Sequence, residues 1–445
     1  MTRSMAKQSR LTGLVVALSL LGSACGGGGG GGSSASSTAN SPADPPVTTQ
    51  YLTPVTPAAT YSNVLADCAL VETNSNSCSL LSLPLLGMDT MAPDVNDILS
   101  RTVVSHPWMG ERFGELLEVL PPDTLQLFRG ITTVVIAFDI RPSYYHSLTG
   151  AIYLDPRYLW QTNAEKITID RAEDYRSDFA NELQFVPLWR YIKDGDYAWD
   201  YFPLEGSQTR TLNDTVLPMA SLLFHELAHA NDVFPPAELA NINRDQSVVS
   251  ASFALQPMSV SAQLAASQPL RSELLKGLAR VQYYGETASS TQKMTSAETV
   301  GLDFEIDGAS DDYAYSSNFE DLAMLFEEVM MKYYYDVDRE LAFTDAPTGD
   351  DSFCSSYIIR WGVRNRVGLP MVASRATYAL QALLDLNDVD PYIQSVPDAM
   401  LMDNMEDWCS IQDLGVSGTS AKFDRASEAR ERTLMRPDTM GRDYR

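Results

Sequence analysis

Two histidines four residues apart constrain this chain more than any other feature. They stand in the run His225-Glu226-Leu227-Ala228-His229, and the 445 residues hold only four histidines. On a helix, positions i and i+4 share a face, so both imidazoles can address one ion. Glu226 flanks that face, placed to take a proton from a water held by the ion. The surroundings predict a buried helix. Residues 216–224 are apolar, Asn213 or Asp214 offers a cap, Pro218 suits a first helical turn, and Pro235-Pro236 stops the element. A helix of about twenty residues, anchored in a core, carries the pair near its middle. A surface helix with stray histidines would have more polar flanks.

The N-terminus reads as an export signal. Arg3, Lys7 and Arg10 precede an apolar stretch over 11–21 that is too short to span a bilayer. The run Leu21-Gly22-Ser23-Ala24-Cys25 resembles a bacterial lipoprotein signal. That resemblance implies a signal peptide over 1–24, lipid on Cys25 and, with Gly26 following, an outer-membrane address. Ordinary secretory cleavage near Ala24 is the alternative, and would release the protein. Residues 25–60 hold Gly, Ser, Thr, Ala and Pro with few large apolar side chains, and read as a flexible tether.

Cys68, Cys78, Cys354 and Cys409 remain, an even number in an oxidising compartment, so two disulfides are expected. Pairing Cys68 with Cys78 closes a short polar loop and leaves Cys354 for Cys409; sequence alone allows three connectivities. No two of these cysteines have the spacing of a zinc finger. The net charge is −26, from 58 acidic and 32 basic residues. Such a body repels nucleic acid and anionic membrane, which leaves the lipid as its membrane contact.

Along the chain, 61–130 reads as an N-terminal helical region. Residues 131–138 are β-branched and apolar, a buried strand; 149–156 form a second. Within it Ala151, Ile152, Tyr153 and Leu154 are the candidate substrate-binding edge, with an ordinary core strand as the alternative. Residues 160–215 read as an irregular insertion, 286–298 as a loop, 302–312 as an acidic face, 317–336 as a long helix and 355–390 as helical. The fold class is α+β, mainly helical, with a small sheet beside the HExxH helix. A catalytic domain spans 131–345, a C-terminal helical region 346–417 and a disordered tail 418–445.

A catalytic zinc takes three protein ligands and leaves a fourth position open. His106 and His146 do not follow the motif and read as structural. Pro235 stands where metzincins carry their third histidine, so a glutamate must close the site, and the helix within 316–328 supplies it. Here the chain resembles gluzincin-type HExxH zinc metallopeptidases, more narrowly the anthrax-lethal-factor-like group. In that group an Asp lies three residues after the second His, and a later helix reads Glu-x-x-Ala-x-x-Phe. Asp232 matches the first feature; Glu320, Ala323 and Phe326 match the second. A tyrosine seven residues before that glutamate recurs too, and Tyr313 occupies its place.

The resemblance implies a zincin-like core in which His225, His229 and Glu320 bind Zn²⁺. Glu327, two turns on, is the next candidate ligand. Asp232 would hydrogen-bond a ligand imidazole, or be a solvated C-terminal residue. Tyr313, or instead Tyr315, would donate to the developing oxyanion. The implied activity is peptide-bond hydrolysis by a membrane-tethered, extracytoplasmic enzyme acting on protein or peptide, with Glu226 as general base. The alternative is a non-catalytic envelope lipoprotein with a structural or vestigial zinc site.

Overall fold

The computed structural model describes residues 51–347 and 353–412. The signal over 1–24, the lipidation site Cys25, the tether up to residue 50 and the tail from 418 lie outside the described residues. The fold is α+β and mainly helical. Among the described residues no helix is long and apolar enough to cross a membrane.

Five strands make the first sheet: β1 (Thr53–Pro54), β2 (Thr102–Val104), β3 (Thr133–Ile136), β4 (Tyr144–His146) and β5 (Ala151–Leu154), in the order β1-β2-β3-β5-β4. The inner three run parallel, and the outer two run antiparallel to their neighbours. Parallel strands need a crossover. The helix Pro107–Leu117 provides it between β2 and β3, opening on Pro107 and burying Phe113, Leu116 and Leu117. β3 and β5 are buried throughout, which is why both read as unbroken apolar runs.

Three expectations change here. Ala151–Leu154 is not an edge: it is hydrogen-bonded to β3 on one side and β4 on the other, so its main chain has no free side. The edge is Tyr144–His146, three residues and too short to register as a strand. The N-terminal region is not purely helical, because β2 pairs with β3 across the expected boundary at 130. Nor does the tether reach residue 60, since Thr53 and Pro54 pair with Val104 and Val103.

The second sheet holds β6 (Phe185–Lys193), β7 (Asp196–Tyr197), β8 (Asp338–Asp345), β9 (Ile359–Arg364) and β10 (Met400–Leu401), ordered β10-β9-β8-β6-β7 and antiparallel throughout. The β6–β7 hairpin turns on Asp194-Gly195, both at positive φ (53° and 75°), the pairing favoured in two-residue turns. β6 lies where an irregular insertion was expected. Residues 355–390 are not all helical either: β9 comes first, then the helix Pro370–Leu384. The 286–298 loop contains a single helical turn, Ser290–Lys293.

The His-bearing helix is Leu212–Val233, and every residue from Pro218 to Asp232 is buried. A helix buried all round belongs inside a core. Its start differs from expectation. Thr211 is the N-cap, and its main-chain N–H donates to Asp214 at 2.7 Å. Pro218 is therefore the seventh helical residue, inside the second turn. The C-terminal half is fastened to the segment Phe128–Gly130. The Asn231 amide donates to the Leu127 carbonyl at 2.7 Å, and a Cβ on Gly130 would stand 2.8 Å from the Ala230 carbonyl. The helix Asn318–Tyr335 packs along this one, and Ser317 Oγ accepts the Glu320 N–H at its start. Two disulfides, Cys68–Cys78 and Cys354–Cys409, are formed.

Candidate metal centre

His225 and His229 project from one face of the first helix toward Glu320 in the first turn of the second. His225 Nε2 lies 2.9 Å from Glu320 Oε2, and His229 Nε2 lies 3.4 Å from the same oxygen. One ligand atom from each of the three residues falls within 4.8 Å of the others. A tetrahedral zinc with bonds of about 2.0–2.1 Å separates its ligand atoms by roughly 3.3 Å, so a small ion fits among them with little adjustment. His229 Nε2 is buried with no hydrogen-bond partner, as an atom awaiting a metal would be. Two imidazoles and one carboxylate are a donor set that suits zinc. Exposures of 8%, 5% and 2% for His225, His229 and Glu320 leave the centre nearly closed.

Glu226 is buried beside this group. Burial raises its pKa, while the two histidines and the Tyr145 main-chain N–H pull the other way. That N–H belongs to β4, so the sheet edge touches the HExxH glutamate directly. Oε2 of Glu226 is buried without a partner and is left to accept a proton or a hydrogen bond.

Burial alone would push Glu320 up, yet the neighbouring imidazoles of His229 and His225 hold its carboxyl well below the usual range. On His225, burial resists protonation, but hydrogen bonds to Glu320 and Glu327 raise its pKa well above the ordinary value. His225 and Glu320 thus pair as imidazolium and carboxylate. An ion would take the place of that proton and release it.

Glu327 is not a third ligand. Its Oε2 meets His225 Nδ1 at 3.2 Å, on the side of the ring away from Glu320. Ser221 Oγ donates to its Oε1 at 2.6 Å and Tyr191 Oη at 3.0 Å, and Arg339 Nη1 lies 3.6 Å from the same oxygen. Glu327 therefore fixes the ring orientation of His225, a role expected of Asp232. Asp232 does something else. Its oxygens accept the Ser261 N–H and Oγ, each at 2.7 Å, and its link to His229 is electrostatic. It is fully buried rather than solvated, and burial lifts its pKa to about 6.

Arg339 extends the chain of contacts. Its Nη2 meets Asp311 Oδ2 at 2.6 Å, and Asp311 Oδ1 accepts the Tyr313 N–H at 2.9 Å. The Tyr313 ring lies nearly parallel to that of His225, with centroids 6.1 Å apart. Tyr315 points elsewhere, packing edge-on to Phe304, with burial first and Asp307 next raising its pKa. His106 caps the helix Pro107–Leu117 and meets Ser105, and His146 Nδ1 accepts the Leu148 N–H. Both are structural. Ala151–Leu154 lies behind β4 in the sheet, though it too packs against the HExxH helix.

Sequence reasoning missed Ser221, Tyr191, Arg339 and Asp311. Two signals were there to use. Ser221 lies four residues before His225 on the same helical face, and Glu327 lies seven after Glu320 on another. Comparison with known protein families, with curated proteins and with solved structures finds no match for this chain.

Proposed function

We propose that this chain is a zinc-dependent peptidase, tethered outside the cytoplasm through Cys25, with His225, His229 and Glu320 as its metal ligands. The observation that carries the reading is the meeting of those three side chains beside a glutamate with an orphaned oxygen. A sheet with an antiparallel edge strand next to the HExxH helix also supports a zincin-like core. Zinc, when bound, would polarise a carbonyl and make a water acidic enough to ionise near neutral pH.

The protein's own residues supply the rest. Glu226 takes the proton of the attacking water and passes it to the leaving amine. Its raised pKa makes it a stronger base than an exposed glutamate. The outer strand Tyr144–His146, which touches Glu226, is where an extended substrate would run, in place of Ala151–Leu154. Tyr313, set beside His225, donates to the oxyanion of the attacked carbonyl. Glu327 holds the His225 ring in place.

One observation favours the rival, a non-catalytic lipoprotein with a structural zinc: the ligands are almost closed to solvent, as structural sites are. A single set of measurements decides. Purified protein is assayed for zinc stoichiometry and for cleavage of mixed peptides with and without chelator. We expect one zinc, chelator-sensitive cleavage, and a Glu226→Gln variant that keeps its zinc while cleavage falls by roughly 10²–10⁴-fold. One zinc with no cleavage of any peptide leaves the rival standing.

A further inference from the structure

We propose that Arg339 sets the specificity of the small cavity against His225, so that it seats a short side chain beside the scissile bond ending in a neutral hydrogen-bond acceptor; this rests on the peptidase reading. Trp189, Leu222 and Met324 form the apolar walls of the cavity, and His225, Glu327 and Arg339 its polar ones. It encloses roughly 290 Å³, counting its open mouth, so a short side chain is what it admits.

Two of its walls belong to the chemistry. His225 is a metal ligand in that reading, and Tyr313, which also lines the cavity, is the donor to the oxyanion. A carbonyl attacked between these groups leaves the side chains flanking it nearest to this space. Both ligand-bearing helices contribute apolar wall. Leu222 precedes His225 by one turn and Met324 follows Glu320 by one turn, each on the face of its ligand.

Arg339 supplies the selectivity. Its side chain is only 3% exposed. Nη2 donates to Asp311 Oδ2 at 2.6 Å, while Nη1 stands 3.6 Å from Glu327 Oε1, an ion pair too long for a hydrogen bond. The guanidinium carbon lies over the Trp189 ring, 4.4 Å from its centroid, which holds the group in place. Nε and Nη1 are nevertheless buried with no hydrogen-bond partner. Buried N–H groups left unanswered are costly, and native proteins keep few of them. Here they belong to a residue in a cavity wall, where an arriving acceptor can meet them. The charge, by contrast, is already answered by Asp311 and Glu327. A third carboxylate would bring like charge into a poorly solvated space, and a lysine would face the guanidinium itself. The site therefore lacks an acceptor rather than an anion. An asparagine amide meets that need. Leucine has nearly the same shape and no acceptor, so it would leave both donors open.

The test uses the full-length chain with Glu226→Gln, so that binding is read without turnover. Three alanine-rich nonapeptides, each with one central Asn, Leu or Asp, are titrated by tryptophan fluorescence, to which Trp189 in the cavity wall contributes. We expect the Asn peptide to bind about tenfold tighter than the Leu peptide, the size of one buried donor answered rather than left open, and the Asp peptide to bind more weakly than the Asn peptide. Adding Arg339→Lys keeps a charge for Asp311 but removes the donors at Nε and Nη1. The Asn preference should then shrink to about twofold or less. Leu binding as tightly as Asn in the Glu226→Gln protein overturns the proposal, whatever the Arg339 variant does, because the cavity would be a plain apolar pocket. Asp binding tighter than Asn overturns it too, as does an undiminished Asn preference in a folded Arg339→Lys protein. The peptidase reading fails separately: Arg339-dependent binding of the Asn peptide, with no peptide cleaved by the unmutated protein, would keep the subsite and discard the enzyme. Chelator-sensitive cleavage with no Asn preference would do the opposite.

Discussion

The first sheet touches the candidate metal centre through its main chain, the second through its side chains. In the first, a peptide N–H of Tyr145 reaches Glu226, and the strand behind it is Ala-Ile-Tyr-Leu. In the second, Tyr191 and Arg339 reach Glu327 from β6 and β8. The difference continues into the interior. Next to Arg339 in β8 stands Glu340, which faces the other way as strand alternation requires. It pairs across the sheet with Arg190 at 2.6 Å and Arg364 at 2.5 Å, its direct partners in register on either side. Arg190 also lies over the Trp408 ring, on a segment tied down by Cys354–Cys409. One sheet is held by apolar packing that tolerates small changes. The other is held by buried charges that are costly to leave unanswered.

Four measurements break or sharpen this contrast. The largest effect belongs to Glu340→Ala, which strands two buried guanidiniums. Chemical denaturation should show a loss of about 3–5 kcal/mol, and a loss below 1 kcal/mol would mean that the charges are not what holds this sheet. Next is Glu327→Gln. Zinc affinity, read by competition with a chelator, should weaken roughly 10–100-fold while the fold persists. Unchanged affinity would detach the second sheet from the metal centre.

Glu328 comes third. Burial raises its pKa from 4.5 to about 8, with Asp311 and Glu327 adding to the rise and Arg339 and the Val367 N–H opposing it. For a group whose folded pKa is raised, the stabilising contribution is complete below about 4.5 and disappears as pH climbs through about 8. Glu328→Gln should therefore melt at a higher temperature than the unmutated protein near pH 9, with a flatter stability profile from pH 5 upward. Coincident calorimetric profiles across that range would rule the effect out. The smallest change is Ile152→Val in the first sheet, expected to cost about 0.5–1.5 kcal/mol. A cost equal to that of Glu340→Ala would erase the distinction between the sheets.

The same contrast explains what the amino-acid order disclosed. The His225–His229 pair sits in an apolar helix whose spacing is local, so element and chemistry were both legible. Glu320 was legible only through the resemblance of Glu320, Ala323 and Phe326 to a known pattern, since its spacing from Ser317 fits a plain helix cap equally well. β3 and β5 declared themselves as β-branched or apolar runs buried on two faces. β6 did not, because Arg190 and Trp189 interrupt its pattern and their partners lie far away, Glu340 being 150 residues on. β9 was taken for helix for the same reason: Arg364 looks like a surface residue until β8 brings Glu340 to it. Buried charge resembles exposed charge whenever its partner is distant in sequence. The role of Glu327 was hidden in this way too, 102 residues from the ring it orients. The true edge strand escaped because three residues carry no period.

Gly130 has no functional group, yet it lies against the main chain of the HExxH helix one residue past His229. A methyl group there would collide with a peptide carbonyl, which cannot swing aside as a side chain can. The whole rod would have to slide, carrying its imidazoles out of register with the opposing carboxylate. Gly130→Ala should thus disturb the meeting of His225 and His229 with Glu320, and weaken any zinc binding measured by chelator competition much as replacing one of those three would.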